Sequence, residues 1–149
     1  MKPQWILVAN ASIARVLGRD SADDPLRALA TWQHPESRLK GSELRDDRPG
    51  HERSDRAGGT ELTPRSDPRR KEHREFAREV ARRLGEALDA GEFGALAIFA
   101  SSPFLGELKH ELGEAVARHT THYGDVDLTS FGLSELEARI ARELASRAA

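Results

Sequence analysis

Apolar positions change their spacing along this chain, and the changes mark its elements. Trp5-Ile6-Leu7-Val8-Ala9 is a short unbroken apolar run closed by Asn10-Ala11-Ser12, the pattern of a buried strand and a turn. Ile13 to Gly18 predicts a second strand. Leu26 to Gln33 predicts a third, with Leu29 and Thr31 on one face and Ala28, Ala30 and Trp32 on the other. Short polar connections, including Ser21 to Pro25, favour an antiparallel meander for these three. His34-Pro35 ends the third strand, and the chain then loses all periodicity to about residue 66, a polar loop of alternating charges and four glycines. Order returns with Phe76, Val80, Leu84 and Leu88 four residues apart, flanked by Ala77, Ala81 and Ala87. This is one face of a long amphipathic helix over Asp67–Ala90, with Asp67 as cap, Pro68 at its first position and Gly91 at its exit.

Ala95 to Ala100 is the next buried strand. Ser102 then reads as the cap and Pro103 as the first turn of a helix whose seam is Leu105, Leu108, Leu112 and Val116. His119 to Tyr123 predicts a fifth strand. Ser134 and Glu137 suggest a capping box opening a last helix on Leu136, Ile140 and Leu144. The resulting order is β-β-β-α-β-α-β-α. Right-handed crossovers convert it into a three-layer α/β fold: a five-stranded mixed sheet of order 3-2-1-4-5 with helices on both faces, a topology of the ribonuclease-H-like kind. At 149 residues, with no internal repeat, the chain is expected to form a single domain over 1–149.

Composition narrows the chemistry. The absence of cysteine excludes disulfides, thiolate metal sites and a cysteine nucleophile. No apolar run is long enough to span a membrane, and the N-terminus lacks the pattern of a secretory signal, so a cytoplasmic location is expected. Net charge is −2 but is unevenly distributed. Residues 68–84 hold seven cations and three anions, whereas residues 85–149 hold five and eleven. The long helix is therefore a basic island, with Arg70, Arg74, Arg78 and Arg82 in a row at helical spacing. Such a row is either a solvated face stitched by ion pairs with residues such as Glu75, or a surface for an anionic partner such as RNA.

The switch point of the predicted sheet lies between strands one and four, and it brings Asn10, Ser12, Ser101 and Ser102 toward one edge. The amides of Phe104 and Leu105 at the following helix start make this a candidate anion-binding crevice; the bland alternative is a capped helix and water. A two-metal nuclease is disfavoured because strand one ends in a neutral amide and neither strand supplies an acid. His119 and His122 stand three apart, a spacing that points to opposite sides of an extended strand, so no metal site is expected there. No catalytic residue, phosphate-loop signature or cofactor is assigned.

Taken together and in order, several motifs resemble the bacterial host-attachment protein family, whose members are described as required for attachment to host cells. They are Trp5-Ile6-Leu7-Val8-Ala9-Asn10, Ala14-Arg15, His34-Pro35, Asp47-Arg48-Pro49-Gly50, Gly58-Gly59, Phe76-Ala77, Pro103-Phe104-Leu105-Gly106 and Asp127-Leu128-Thr129. That family is in turn similar to the central domain of archaeal and eukaryotic peptide-chain release factors, where a Gly-Gly-Gln loop precedes a long basic helix. Here Gly58-Gly59 hold the corresponding place, but Thr60 stands where the glutamine would be. The resemblance therefore implies loss of peptidyl-tRNA hydrolysis and retention of a surface for RNA or the ribosome, with Arg48, Arg56, Gly58, Gly59 and the Arg70–Arg82 row as its residues. Two other readings stay open: a protein-interaction or adhesion factor that docks through residues 36–66, and a small hydrolase at the crevice between strands one and four.

Overall fold

The structure is a computed structural model, and it describes residues 2–34 and 68–148. Five strands and four helices follow one another: β1 (Gln4–Ala9), β2 (Ile13–Arg19), β3 (Arg27–Gln33), α1 (Pro68–Asp89), β4 (Ala95–Ala100), α2 (Phe104–Glu111), α3 (Glu114–His119), β5 (Thr120–Gly124) and α4 (Leu133–Ala148). The sheet order is β3-β2-β1-β4-β5. β1 pairs antiparallel with β2 and parallel with β4, so the meander and the crossover half meet on the central strand. This is the order the apolar pattern predicts.

Why β1 lies at the centre follows from its sequence. Ile6, Leu7, Val8 and Ala9 are fully buried, and only a strand covered on both faces can hold an unbroken apolar run. Leu7, Val16, Ile98 and Leu96 face a core closed by α1, α2 and α3, where Phe76, Val80, Leu84, Phe104 and Leu108 pack. Ile6, Val8, Leu17, Ala97 and Phe99 face the opposite core, closed by Leu136 and Ile140 of α4 and by Leu128. Helices thus cover both faces. Each of the large α1 side chains contributes about 1.5–3 kcal/mol by leaving water.

α1 ends as its glycine predicts. Gly91 has φ of 76°, the left-handed conformation glycine adopts at no cost in side-chain clash. Its amide donates to Leu88 O and the Glu92 amide to Ala87 O, which closes the last turn of the helix. The Asp67 cap lies outside the described residues.

Three local expectations are corrected. The helix predicted through Leu105, Leu108, Leu112 and Val116 is two helices, because Leu112 adopts an extended conformation (ψ 138°) and Gly113 follows it. Ser102 does not cap α2: the residue before the helix is Pro103, which makes no capping bond, and Ser102 turns to Asp125 instead. Ser134 lies inside α4 rather than before it, and the Glu137 carboxylate accepts the Leu26 amide at 2.7 Å instead of closing a capping box. Each of these depends on a partner distant in sequence or on a backbone break within an otherwise regular apolar seam.

Strand β3 carries one further irregularity. Leu17 pairs with Ala28 and Val16 with Ala30, which leaves Leu29 as an extra residue in the ladder. Leu29 lies over Gly18, where an added Cβ would come within 2.7 Å of its Cδ1. It is the one exposed large hydrophobic side chain among the described residues.

Candidate functional site

The carboxyl ends of β1 and β4 do form a polar edge, and its wiring differs from what strand ends alone suggest. Asn10 leaves β1 with its side-chain carbonyl turned back, accepting the amides of Ser12 (2.8 Å) and Ile13 (3.1 Å). Its Nδ2 donates in the other direction, to Asp127 Oδ2 (3.0 Å) and Thr129 Oγ1 (3.1 Å). Both donors and both acceptor sites of this amide are engaged. Asp127 closes an Asx-type turn on itself, accepting from the Thr129 amide at 2.9 Å and from its hydroxyl at 2.6 Å. Burial works to raise the Asp127 carboxyl, but the hydrogen bonds from Thr129 and Asn10 outweigh it and hold the group below its ordinary range.

Two more links secure the same segment. Arg15 of β2 donates through Nη1 to Thr129 O (2.9 Å) and Phe131 O (2.6 Å). The Phe131 ring carries the Arg139 guanidinium of α4 at 4.0 Å from its centroid. On the β4 side, Ser102 donates its amide to Asp125 Oδ1 (3.0 Å) and its hydroxyl to Asp125 Oδ2 (2.8 Å). Ser101 is half-buried, and its carbonyl accepts the Leu105 amide at 3.0 Å. Ser12 is exposed.

Of the four crevice residues named from sequence, Asn10 and Ser102 are thus each bound to a carboxylate, and the Leu105 amide already has a partner. Asp125, Asp127, Thr129 and Arg15 are the participants that strand-end reasoning misses. The two acids arrive from the segment after β5, so neither β1 nor β4 announces them. The signal available was Asp127-Leu128-Thr129 itself, an aspartate two residues ahead of a hydroxyl and an amide it can accept from.

The second candidate surface is the basic row on α1. Glu79 sits at its centre and accepts from Arg82 at 2.7 Å and from Arg83 at 2.9 Å. Burial pushes its carboxyl up, and the hydrogen bonds from Arg83 and Arg82 more than offset that and leave it lowered. Arg82 also meets Glu86 at 2.7 Å, and the two carboxylates hold its guanidinium protonated beyond its ordinary tendency. Arg78 reaches across to Glu111 of α2 at 3.5 Å. Arg70 and Arg74 differ: among the described residues neither has a carboxylate partner. The row therefore divides into a paired C-terminal half and an open N-terminal half. Arg48, Arg56, Gly58, Gly59 and Thr60 lie outside the described residues.

The histidines read for a metal do not converge. His119 Nδ1 lies 2.8 Å from Ala115 O at the end of α3, and the His122 ring packs beside Phe99 at 5.1 Å. No group of three potential metal-ligating side chains occurs among the described residues. No helix among them is long and apolar enough to cross a membrane.

No curated protein matches this chain closely enough to establish a relative. Residues 5–140 match the family described as "Protein required for attachment to host cells", a span that runs from β1 into α4 and takes in the polar edge and the whole basic row. On that match over most of its length, the chain belongs to the host-attachment protein family.

Proposed function

We propose that this host-attachment family protein is a non-catalytic, cytoplasmic binding module that contacts RNA or the ribosome through the N-terminal half of α1 and the adjoining 36–66 segment. The observation that carries the reading is the asymmetry of the basic row. Arg78, Arg82 and Arg83 are neutralised by carboxylates within the fold, whereas Arg70 and Arg74 stand without one among the described residues. An unpaired arginine gains far more from a phosphate than one that must first release a carboxylate. Arg48, Arg56, Gly58 and Gly59 complete the proposed surface, in line with the resemblance to release-factor central domains, and Thr60 in the glutamine position fits a surface that binds without hydrolysing. The host-attachment phenotype then follows indirectly, through an intracellular partner.

The test is ribosome co-sedimentation from cell extract at stepped salt concentrations. The reading predicts association that falls steeply with salt and is lost in Arg70→Glu/Arg74→Glu. Association that is insensitive to salt, or unchanged in the double variant, overturns it.

A second reading is favoured by one observation: the crevice holds Asp125 against Ser102 Oγ at 2.8 Å, a hydroxyl and a carboxylate exposed together. A small hydrolase acting there on an uncharged ester would use Asp125 as the base for the Ser102 hydroxyl. Two carboxylates make the same edge unfavourable for a phosphorylated substrate. Ester turnover abolished by Ser102→Ala would establish this reading; turnover unaffected by that variant, or absent from the intact protein, would remove it.

A further inference from the structure

On the flank of α1 that faces the sheet edge, a cleft of about 720 Å³ opens between the end of β3 and the helix. Its walls are aromatic: Trp32 on the strand side, with Phe76 and the His34 ring stacked at 5.6 Å between centroids. Its polar side chains are Thr31, Gln33, Glu75, Glu79 and Arg83. Arg83 is already committed, lying 2.9 Å from Glu79 and 5.4 Å from the Trp32 ring centroid. That pairing cancels the Glu79 charge and leaves Glu75, half-buried and without a cationic partner among the described residues. His34 Nε2 is buried and has no hydrogen-bond partner.

We infer that this cleft is a binding site for a small guanidinium-bearing compound. The cleft presents one carboxylate, Glu75, that has no cationic partner among the described residues. An ionised carboxylate only accepts. The complementary ligand is a planar group that only donates, carries positive charge and stacks on aromatic faces. A guanidinium has all three properties. The wall already accommodates one, since Arg83 lies over Trp32. Competing classes fit less well. A phosphate or carboxylate would face the unpaired Glu75 carboxylate. A divalent metal would want three converging ligands, and no such group exists among the described residues. A neutral nucleobase would leave the Glu75 charge unpaired. The volume lies within the range of small-molecule sites. This site is separate from the Arg70/Arg74 surface and does not depend on it.

The experiment is a ¹H–¹⁵N NMR titration of the full chain with agmatine, N-acetyl-arginine amide, putrescine and AMP, following the Trp32 indole and the amides of residues 75–83. Agmatine and the arginine amide are expected to give saturable shifts with Kd of about 1 mM, the strength of one charge-assisted pair with stacking. Putrescine, which keeps the charge and lacks the planar group, is expected to bind at least tenfold more weakly, and AMP not at all. Glu75→Gln should weaken agmatine at least tenfold, Trp32→Leu should weaken it measurably, and Asp89→Asn, on the same helix outside the cleft, should leave it unchanged. Thermal melts of each variant separate lost binding from lost fold, and Trp32→Leu carries the test if Glu75→Gln does not fold. Absence of saturable shifts with both guanidinium probes, equal binding of putrescine, or binding indifferent to Glu75→Gln and Trp32→Leu would overturn the proposal.

Discussion

The polar edge of the sheet and the basic row of α1 are both surfaces rich in hydrogen-bonding groups, yet they are built to opposite ends. At the edge, the Asn10 side chain makes four hydrogen bonds and fastens the turn after β1 to the Asp127–Thr129 segment, with Arg15 adding two more. Its polar groups face one another. Along α1 the pairing is graded: Arg82 and Arg83 are held by Glu79 and Glu86, Arg78 by Glu111, and Arg70 and Arg74 by no carboxylate among the described residues. What separates a structural polar cluster from an available one is therefore neither residue type nor exposure, but how many of its donors and acceptors the fold has already engaged.

If that distinction holds, damage to the edge should appear as lost stability and damage to the open half of α1 as lost binding. The largest effect is expected from Asn10→Ala, which strands two backbone amides and removes two donors from Asp127 and Thr129. Urea unfolding should show a loss of about 2 kcal/mol with the slope unchanged. An Asn10→Ala protein as stable as the parent would mean the edge is not a structural fastening.

Acid should act on the same fastening. Asp127 has a folded-state pKa below its unfolded value, so its contribution is fully present above the ordinary aspartate range and is lost as pH falls through the folded value. Melting temperatures recorded on descending from neutral pH should therefore drop in the acid range, and Asp127→Asn should flatten that part of the drop while lowering stability at neutral pH. A Asp127→Asn profile parallel to that of the parent would assign the acid sensitivity to other carboxylates.

Smaller again is Arg82→Gln, which removes an exposed guanidinium from Glu79 and Glu86. Exposed helix pairs of this kind contribute little, so chemical denaturation should register only a slight loss, smaller than that of Asn10→Ala and shrinking further in high salt. At the bottom of the scale stands Arg70→Glu/Arg74→Glu, expected to change stability by no more than about 0.5 kcal/mol. A large destabilisation by this pair would place those arginines in the fold's own wiring and erase the contrast.

How much of this was legible in the sequence depends on how far apart the cooperating residues lie. Strand order could be read because it rests on local pattern and on chain handedness: the unbroken Trp5–Ala9 run had to be central, and short turns had to pair β1, β2 and β3 in sequence. The α1 face and its Gly91 exit were legible for the same reason. The break at Leu112-Gly113 was hidden, because Leu108, Leu112 and Val116 continue the helical spacing straight across it and only the glycine marks it. At the crevice, Asn10 and Ser102 could be placed but not their bonding, since Asp125 lies 23 residues from Ser102 and Asp127 lies 117 from Asn10. Local sequence offered Ser102 the role of a helix cap; a distant carboxylate took its amide and hydroxyl instead. The split of the basic row needed coordinates as well, because Glu111 belongs to another helix, and the cleft beside Trp32 depends on β3 meeting α1 across a long stretch of chain.

The most direct measurement is the salt dependence of binding to a labelled single-stranded RNA by fluorescence anisotropy, for the parent protein, Arg70→Glu/Arg74→Glu and Arg82→Gln side by side. Binding by the parent should weaken linearly on a logarithmic salt scale; the double variant should bind far more weakly with a slope smaller by about two, and Arg82→Gln should track the parent. Equal losses in the two variants, or a double variant that binds as the parent does, would contradict the claim that only the N-terminal half of the row is open to a partner.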